Sequence, residues 1–118
     1  MFTKIQQGNI ALINKHLKIF EVFRQRDIEI PVGQIIFFLH ACKMEGASLR
    51  EIADVSGVKM TTASRYLSNL SAKGQFKEKG LGLLHAEENP ENRRMKCITL
   101  TDEGRSLLQS LEPSKKGA

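Results

Sequence analysis

Cysteine is scarce in this 118-residue chain, and no long apolar run interrupts it. Cys42 and Cys97 stand apart, with no CxxC and no histidine at zinc spacing, so they read as reduced packing residues rather than a disulfide framework or metal site. No stretch approaches the roughly 18 apolar residues of a membrane span. The N-terminus lacks a secretory signal pattern, and Lys15, Lys18, Arg24 and Arg26 break up its most apolar part. The expectation is a cytoplasmic protein without membrane contact. His16, His40 and His85 are scattered, and there is no nucleophile elbow and no phosphate-binding glycine loop. No enzyme activity, cofactor or metal is therefore expected. Internal repeats and low-complexity runs are absent as well. The length suits one domain and leaves no room for a cofactor domain beside a substrate domain.

What the chain does have is an ordinary hydrophobic share, 41%, and an excess of base: 18 Lys plus Arg against 13 Asp plus Glu, a net charge of +5. Its pI is near 9.4. The first value argues against wholesale disorder. The second matches the electrostatic footprint of nucleic-acid binders, a weak signal until the bases are placed.

Residues 3–26 put Ile10, Ile13, Leu17 and Phe20 on one helical stripe and Leu12, His16, Ile19 and Phe23 on an adjoining one. A helix that apolar must cover two faces, either deep in the domain or against a second subunit. The short chain favours the second, so 1–26 is read as a homodimerisation helix. After a charged break, Pro31 suits the first turn of a helix over about 31–44. Ile35, Phe38, Leu39 and Cys42 line one side of it, and Gly46 ends it. Ser48 to Glu51 is a capping box opening a short helix with Leu49, Ile52 and Ala53 inward. Gly57 stops that helix, and Val58 can reach back to the core. The next helix, about 60–73, turns Ala63, Leu67 and Leu70 inward and stops at Gly74. The period then changes: 81–86 and 95–100 read as strands about a turn at 88–92. Thr101 caps a last helix over 101–112, with Leu107, Leu108 and Leu111 on one face. Pro113 ends it, and 113–118 is a loose basic tail. This order describes a mainly α chain with a small β-hairpin: a winged helix-turn-helix domain over 27–112, preceded by an N-terminal helix.

Two helices that cross steeply need a small residue where they touch, which Ala53 and Ala63 supply, and their turn needs the backbone freedom of Gly57. The helix after the turn carries Thr61, Thr62, Ser64, Arg65, Ser68 and Asn69 on its other face, without an acid. From Lys59 to Lys79 there are five bases (Lys59, Arg65, Lys73, Lys77, Lys79) against Glu78 alone, a local net of +4. A helix fits the DNA major groove, where its first turns meet base edges. Arg65 can bond guanine bidentately. Thr61 or Thr62 can cap the helix, bond a phosphate or place a methyl against thymine. Ser64 and Asn69 complete the polar face, and Lys59 and Lys73 suit phosphates. Arg93 and Arg94 at the hairpin suit a narrow minor groove, although Glu87, Glu88 and Glu91 accompany them.

EIADVSGVKMTTASRYLSNLSAKG at 51–74 and NPENRRMKCITLTDEG at 89–104 resemble the MarR-type winged-helix transcription regulators. Ala53, Gly57, Thr61, Thr62, Ser64, Arg65, Leu70 and Gly74 match the family's helix-turn-helix. Asn89, Pro90, Asn92, Arg93, Arg94, Ile98, Leu100, Thr101 and Gly104 follow its wing and Leu-Thr-x-x-Gly pattern, and IPVGQIIFFLHA at 30–41 resembles its preceding helix. The resemblance implies a double-stranded DNA partner, a recognition helix in the major groove and Arg94, with Arg93 second, as the minor-groove reader. Asn92 stands where the family has aspartate, which weakens a carboxylate brace on the arginines. The segment 74–90 is longer than usual. The resemblance stops near 112, before the family's last long helix, so dimerisation would depend on the N-terminal helix; the alternative is a monomer, or a domain that borrows another protein's surface. Many members respond to small aromatic ligands or thiol oxidation, but no residue here marks an effector pocket.

The competing reading is a winged helix used for protein contact, as in an adaptor or replication-accessory module, since fold alone does not exclude it. Arg65 and its acid-free neighbours suit DNA better than an apolar protein groove.

Overall fold

Helix starts and stops in this chain are written by a few local residues. The computed structural model describes residues 7–71 and 80–112. Residues 3–6, Lys73, Gly74 and the tail 113–118 lie outside them. The elements are α1 (Gln7–Arg26), α2 (Val32–Lys43), α3 (Leu49–Ser56), α4 (Met60–Leu70), β1 (Leu84–Asn89), β2 (Asn92–Leu100) and α5 (Asp102–Ser110).

Ser48 opens α3 with the capping box in full. Its hydroxyl accepts from the Glu51 N–H at 3.2 Å, and its own N–H donates to the Glu51 carboxylate at 2.9 Å. That bond holds the Glu51 carboxyl below its ordinary pKa, so its contribution to stability is present at neutral pH and fades as the side chain protonates in acid. Thr101 caps α5 by accepting from the Gly104 N–H at 3.0 Å. Pro31 is not the first helical residue but the extended cap before it, at φ −67° and ψ 144°. The α2 helix therefore starts one residue later than expected.

The core is built around α2. Phe37, Phe38 and Ala41 are buried with Ile52 of α3, Leu70 of α4, Leu83 and Leu84, Ile98 of β2 and Leu107 of α5. β1 and β2 pair antiparallel across a two-residue turn at Pro90 and Glu91, where the Asn89 side chain accepts from the Glu91 N–H at 2.9 Å. Residues 46–48 bond β2 through an isolated bridge. The Gly46 N–H donates to Ile98, the Ile98 N–H donates to Ala47, and Ser48 bridges Cys97. Glu45 fastens the same corner, its carboxylate accepting from the Leu100 N–H at 3.0 Å and from Arg105 at 2.6 Å.

Two boundaries differ from the sequence reading for one reason. The helix expected to reach 73 ends at Leu70, and the strand expected at 81–86 begins at Leu84. The N–H groups of Leu81, Gly82 and Leu83 donate to the carbonyls of Asn69, Ser71 and Leu70 at 2.9, 3.0 and 2.7 Å. They satisfy the last carbonyls of α4, which a helix end leaves open, and so are not available to pair with β2. The second strand is also longer than the expected 95–100, because the tight turn lets pairing begin at Asn92.

The α1 helix does not lie deep in the domain. Among the described side chains of α1, Phe23 alone is fully buried, packed edge-on against Phe38 at 5.8 Å and 77°. Ile19 and Val22 are half-buried beside it. The stripe of Ile10, Ile13, Leu17 and Phe20, with Leu12 beside it, stays exposed.

Candidate nucleic-acid interface

The helix-turn-helix is α3, its turn and α4. Ala53 and Ala63 are both buried where the two helices meet. Gly57 ends α3 at φ 75° and ψ 28°, a left-handed conformation unfavourable for residues with a Cβ. The Val58 N–H then reaches back five residues to the Ala53 carbonyl at 3.1 Å, the 6→1 bond of a Schellman ending. This turn fixes the angle at which α4 leaves the domain.

The start of α4 differs from the sequence reading in one respect. Neither Thr61 nor Thr62 caps it: the cap is Lys59, in extended conformation at φ −75° and ψ 158°, with no side-chain bond to the helix. Thr61, Ser64 and Arg65 are exposed in the first turn and a half, and Thr62 is half-buried. Lys59 is exposed just before them, and no acid occurs from Lys59 to Leu70. Arg65 has no ion pair among the described residues. The result is an outward helical face of hydroxyls and one unneutralised guanidinium, able to bond base edges and phosphates.

Asn69, one turn beyond Arg65, lies at the edge of that face. It is half-buried and donates to the Gln34 side chain of α2 at 3.0 Å. Lys73 lies outside the described residues, as do the side chains of Arg93 and Arg94. Glu88 lies opposite Lys96 and Asn89 opposite Asn92, so Arg93, Arg94 and Met95 occupy a stretch of β2 without cross-strand partners. Such a bulge re-aims the strand at the wing tip. Glu87, Glu88 and Glu91 are exposed on the same hairpin, with Lys96 opposite Glu88.

Between the start of α3, the inner side of α4 and β2 runs an open groove lined by Leu49, Met60, Leu67, Met95 and Ile98, with Ser48, Arg50 and Lys96. No three His, Cys, Asp or Glu side chains gather as a metal site among the described residues. Nor is any helix among them long and apolar enough to cross a membrane. Burial pushes the Cys42 thiol up to about 11, with the Glu45 carboxylate adding to the shift and Arg105 opposing it. It is therefore protonated at neutral pH and a poor nucleophile, consistent with a packing role.

No family model matches the sequence, and no curated protein does. Solved structures do match by shape. The crystal structure of MarR aligns over 87% of this chain and 69% of its own, with 21% identity and a TM-score of 0.60. An uncharacterised SlyA-like transcription regulator from Listeria monocytogenes aligns over 92% of this chain and 67% of its own, with 23% identity and a TM-score of 0.60. The chain has the MarR-type winged-helix fold. The S. aureus MepR–DNA complex shares this fold at a TM-score of 0.62, with 22% identity, 87% of this chain covered and 77% of MepR. The chain thus spans about two thirds of the length of the MarR and SlyA-like structures.

Within this MarR-type fold, sequence reasoning found α4 and its exposed face but missed Gln34 of α2, which holds α4 from behind through Asn69, and Tyr66, the α4 side chain that packs against Phe37 of α2. The available signal was a single amide in the apolar run IPVGQIIFFLHA.

Proposed function

We propose that this chain is a sequence-specific, double-stranded DNA-binding transcription regulator. Its recognition helix α4 enters the major groove, and its wing, β1 and β2, lies at the minor groove. The observation that carries this reading is the acid-free exposed face of α4, with Thr61, Ser64 and Arg65 set on a helix-turn-helix. Arg65 reads guanine through its two parallel N–H groups, the commonest specific contact in the major groove. Thr61 and Ser64 bond bases or phosphates, Thr62 supports them from the helix flank, and Lys59 and Lys73 neutralise phosphates. Arg93 and Arg94 reach the narrow minor groove from the bulged arm of the wing. The likeness to MarR, SlyA-like and MepR structures supports the same reading, as does a MepR structure solved on DNA. A protein-contact role fits the outward face of α4 less well, since Met60 and Leu67 line the groove beside β2 and the outward face carries hydroxyls and one arginine. Selection from a random duplex pool tests the proposal: a recurrent site should emerge, and recovery without sequence preference would refute it.

The active form is a homodimer joined through α1. Ile10, Leu12, Ile13, Leu17 and Phe20 are 40–54% exposed along one side of that helix, an apolar stripe of the kind that marks an interface. A two-fold dimer would recognise a palindrome with half-sites about 34–36 Å apart, or a multiple of that. Deleting 1–26 would remove the core residue Phe23, so a surface change is the cleaner test. Leu17→Asp with Phe20→Asp should convert a dimer to a monomer in sedimentation while the helical content persists. Equal masses for the two proteins would refute the dimer.

A further inference from the structure

We propose that Gln34, together with Gly33, positions the recognition helix, so that base discrimination by Arg65 depends on a residue buried behind α4. The proposal rests on the DNA-reading role given above. Gln34 sits in the first turn of α2 and is 1% exposed. Its neighbours Ile35, Phe37 and Phe38 are apolar and buried. Its side-chain oxygen accepts from the Asn69 amide at 3.0 Å, while its Nε2 is buried with no partner among the described residues. A half-satisfied buried amide is less favourable than an apolar side chain of the same shape. What it adds is direction, because a hydrogen bond is angular and apolar contact is not.

A second contact lies one residue away. A Cβ at position 33 would run into the Tyr66 hydroxyl and sit 3.3 Å from the ring carbon that bears it. Glycine there leaves space for the Tyr66 ring, which also meets Phe37 at 5.9 Å and 55°. Adjacent residues of α2 thus grip Tyr66 and Asn69, three apart and on neighbouring turns of α4. Two such points fix both the axial position and the rotation of the helix. Arg65 precedes Tyr66 and lies one turn before Asn69, so that rotation sets the direction in which its guanidinium leaves. Binding constellations lose their selectivity when held more loosely than about 0.5 Å or 10–20°.

Gln34→Met, an apolar side chain of similar length, tests the idea on the full chain. The probes are the duplex recovered from a random pool by the unchanged protein and a scrambled duplex of equal length. Gln34→Met should keep or raise the thermal midpoint, leave affinity for the scrambled duplex unchanged, and lower the selected-to-scrambled ratio about tenfold, the scale of one base contact. Asn69→Ala removes the same bond from the partially exposed side and should lower the ratio equally. The double variant should be no worse than either single one. A full ratio in both single variants, with the unchanged protein still discriminating, would overturn the positioning role and leave the DNA reading intact. Equal losses on both duplexes with a fallen midpoint would make Gln34 merely structural. Absence of any ratio in the unchanged protein would remove the DNA reading itself and this inference with it.

Discussion

Arg65→Ala should lower discrimination between the selected duplex and its single-base variants by about 1–3 kcal/mol, the value of one bidentate guanine contact. Affinity for unrelated DNA should change little, because non-specific binding is carried by phosphate contacts. Arg65 is exposed, unpaired among the described residues and in the second turn of α4. Its removal therefore leaves the core untouched and the thermal midpoint close to its starting value. Competition binding with duplexes altered at one base pair at a time distinguishes the two components. Preference should relax at one position of the half-site. Uniform weakening across all sequences would place Arg65 on a phosphate instead and remove it as the reader.

Phe23→Ala should lower unfolding free energy by about 3–5 kcal/mol, as for other buried aromatic truncations. A domain of this size is stabilised by about 5–15 kcal/mol in all, so the loss is a large fraction of the total. Phe23 is fully buried and packs edge-on against the core residue Phe38. The other attachments of α1 are weaker. Ile19 and Val22 are half-buried, and the Arg26–Glu103 ion pair, 3.1 Å long, is largely solvated and worth little. Losing Phe23 should therefore release α1 from α2 and weaken the dimer as well. Urea unfolding measures the first effect. A change under about 1 kcal/mol would show that α1 is not held by this side chain. The Leu17 and Phe20 substitutions act on the adjoining, exposed stripe of α1, so they should separate subunits without loosening the helix from its own domain.

The elements that could be read directly were those fixed by neighbours in sequence. The capping box at Ser48, the left-handed turn at Gly57 and the Thr101 cap each depend on residues within a few positions of one another. They appear where expected. So does the face of α4 that carries Thr61, Ser64 and Arg65, because buried Ala63 and Leu70 fix its opposite side. What could not be read depends on partners far along the chain. The early end of α4 and the late start of β1 follow from Leu81 to Leu83 bonding the helix end. The capping role of the two threonines fails because Lys59 takes the extended position before them. Asn69 looked like part of the polar face, yet Gln34, 35 residues earlier, draws its amide inward. Periodicity marked both apolar stripes of α1 but did not distinguish which one the domain covers. Phe23 and Ile19 pack, whereas Ile10, Ile13, Leu17 and Phe20 remain outside.

Lys59 and Arg65 are the bases of the 59–79 stretch that the structure describes, and both are exposed on or beside α4. On the proposed reading, Lys59 beside the recognition face would meet phosphates, and the hydroxyls and Arg65 would then distinguish sequence.

Affinity for duplex DNA as a function of salt is the most direct test of this division of labour. For the selected duplex, log K should fall linearly with log salt, with a slope near −0.9 for each phosphate neutralised. A scrambled duplex should give a weaker, roughly parallel line, since phosphates are shared and base contacts are not. No measurable duplex affinity at low salt, or two coincident lines, would contradict sequence-specific DNA reading by this fold.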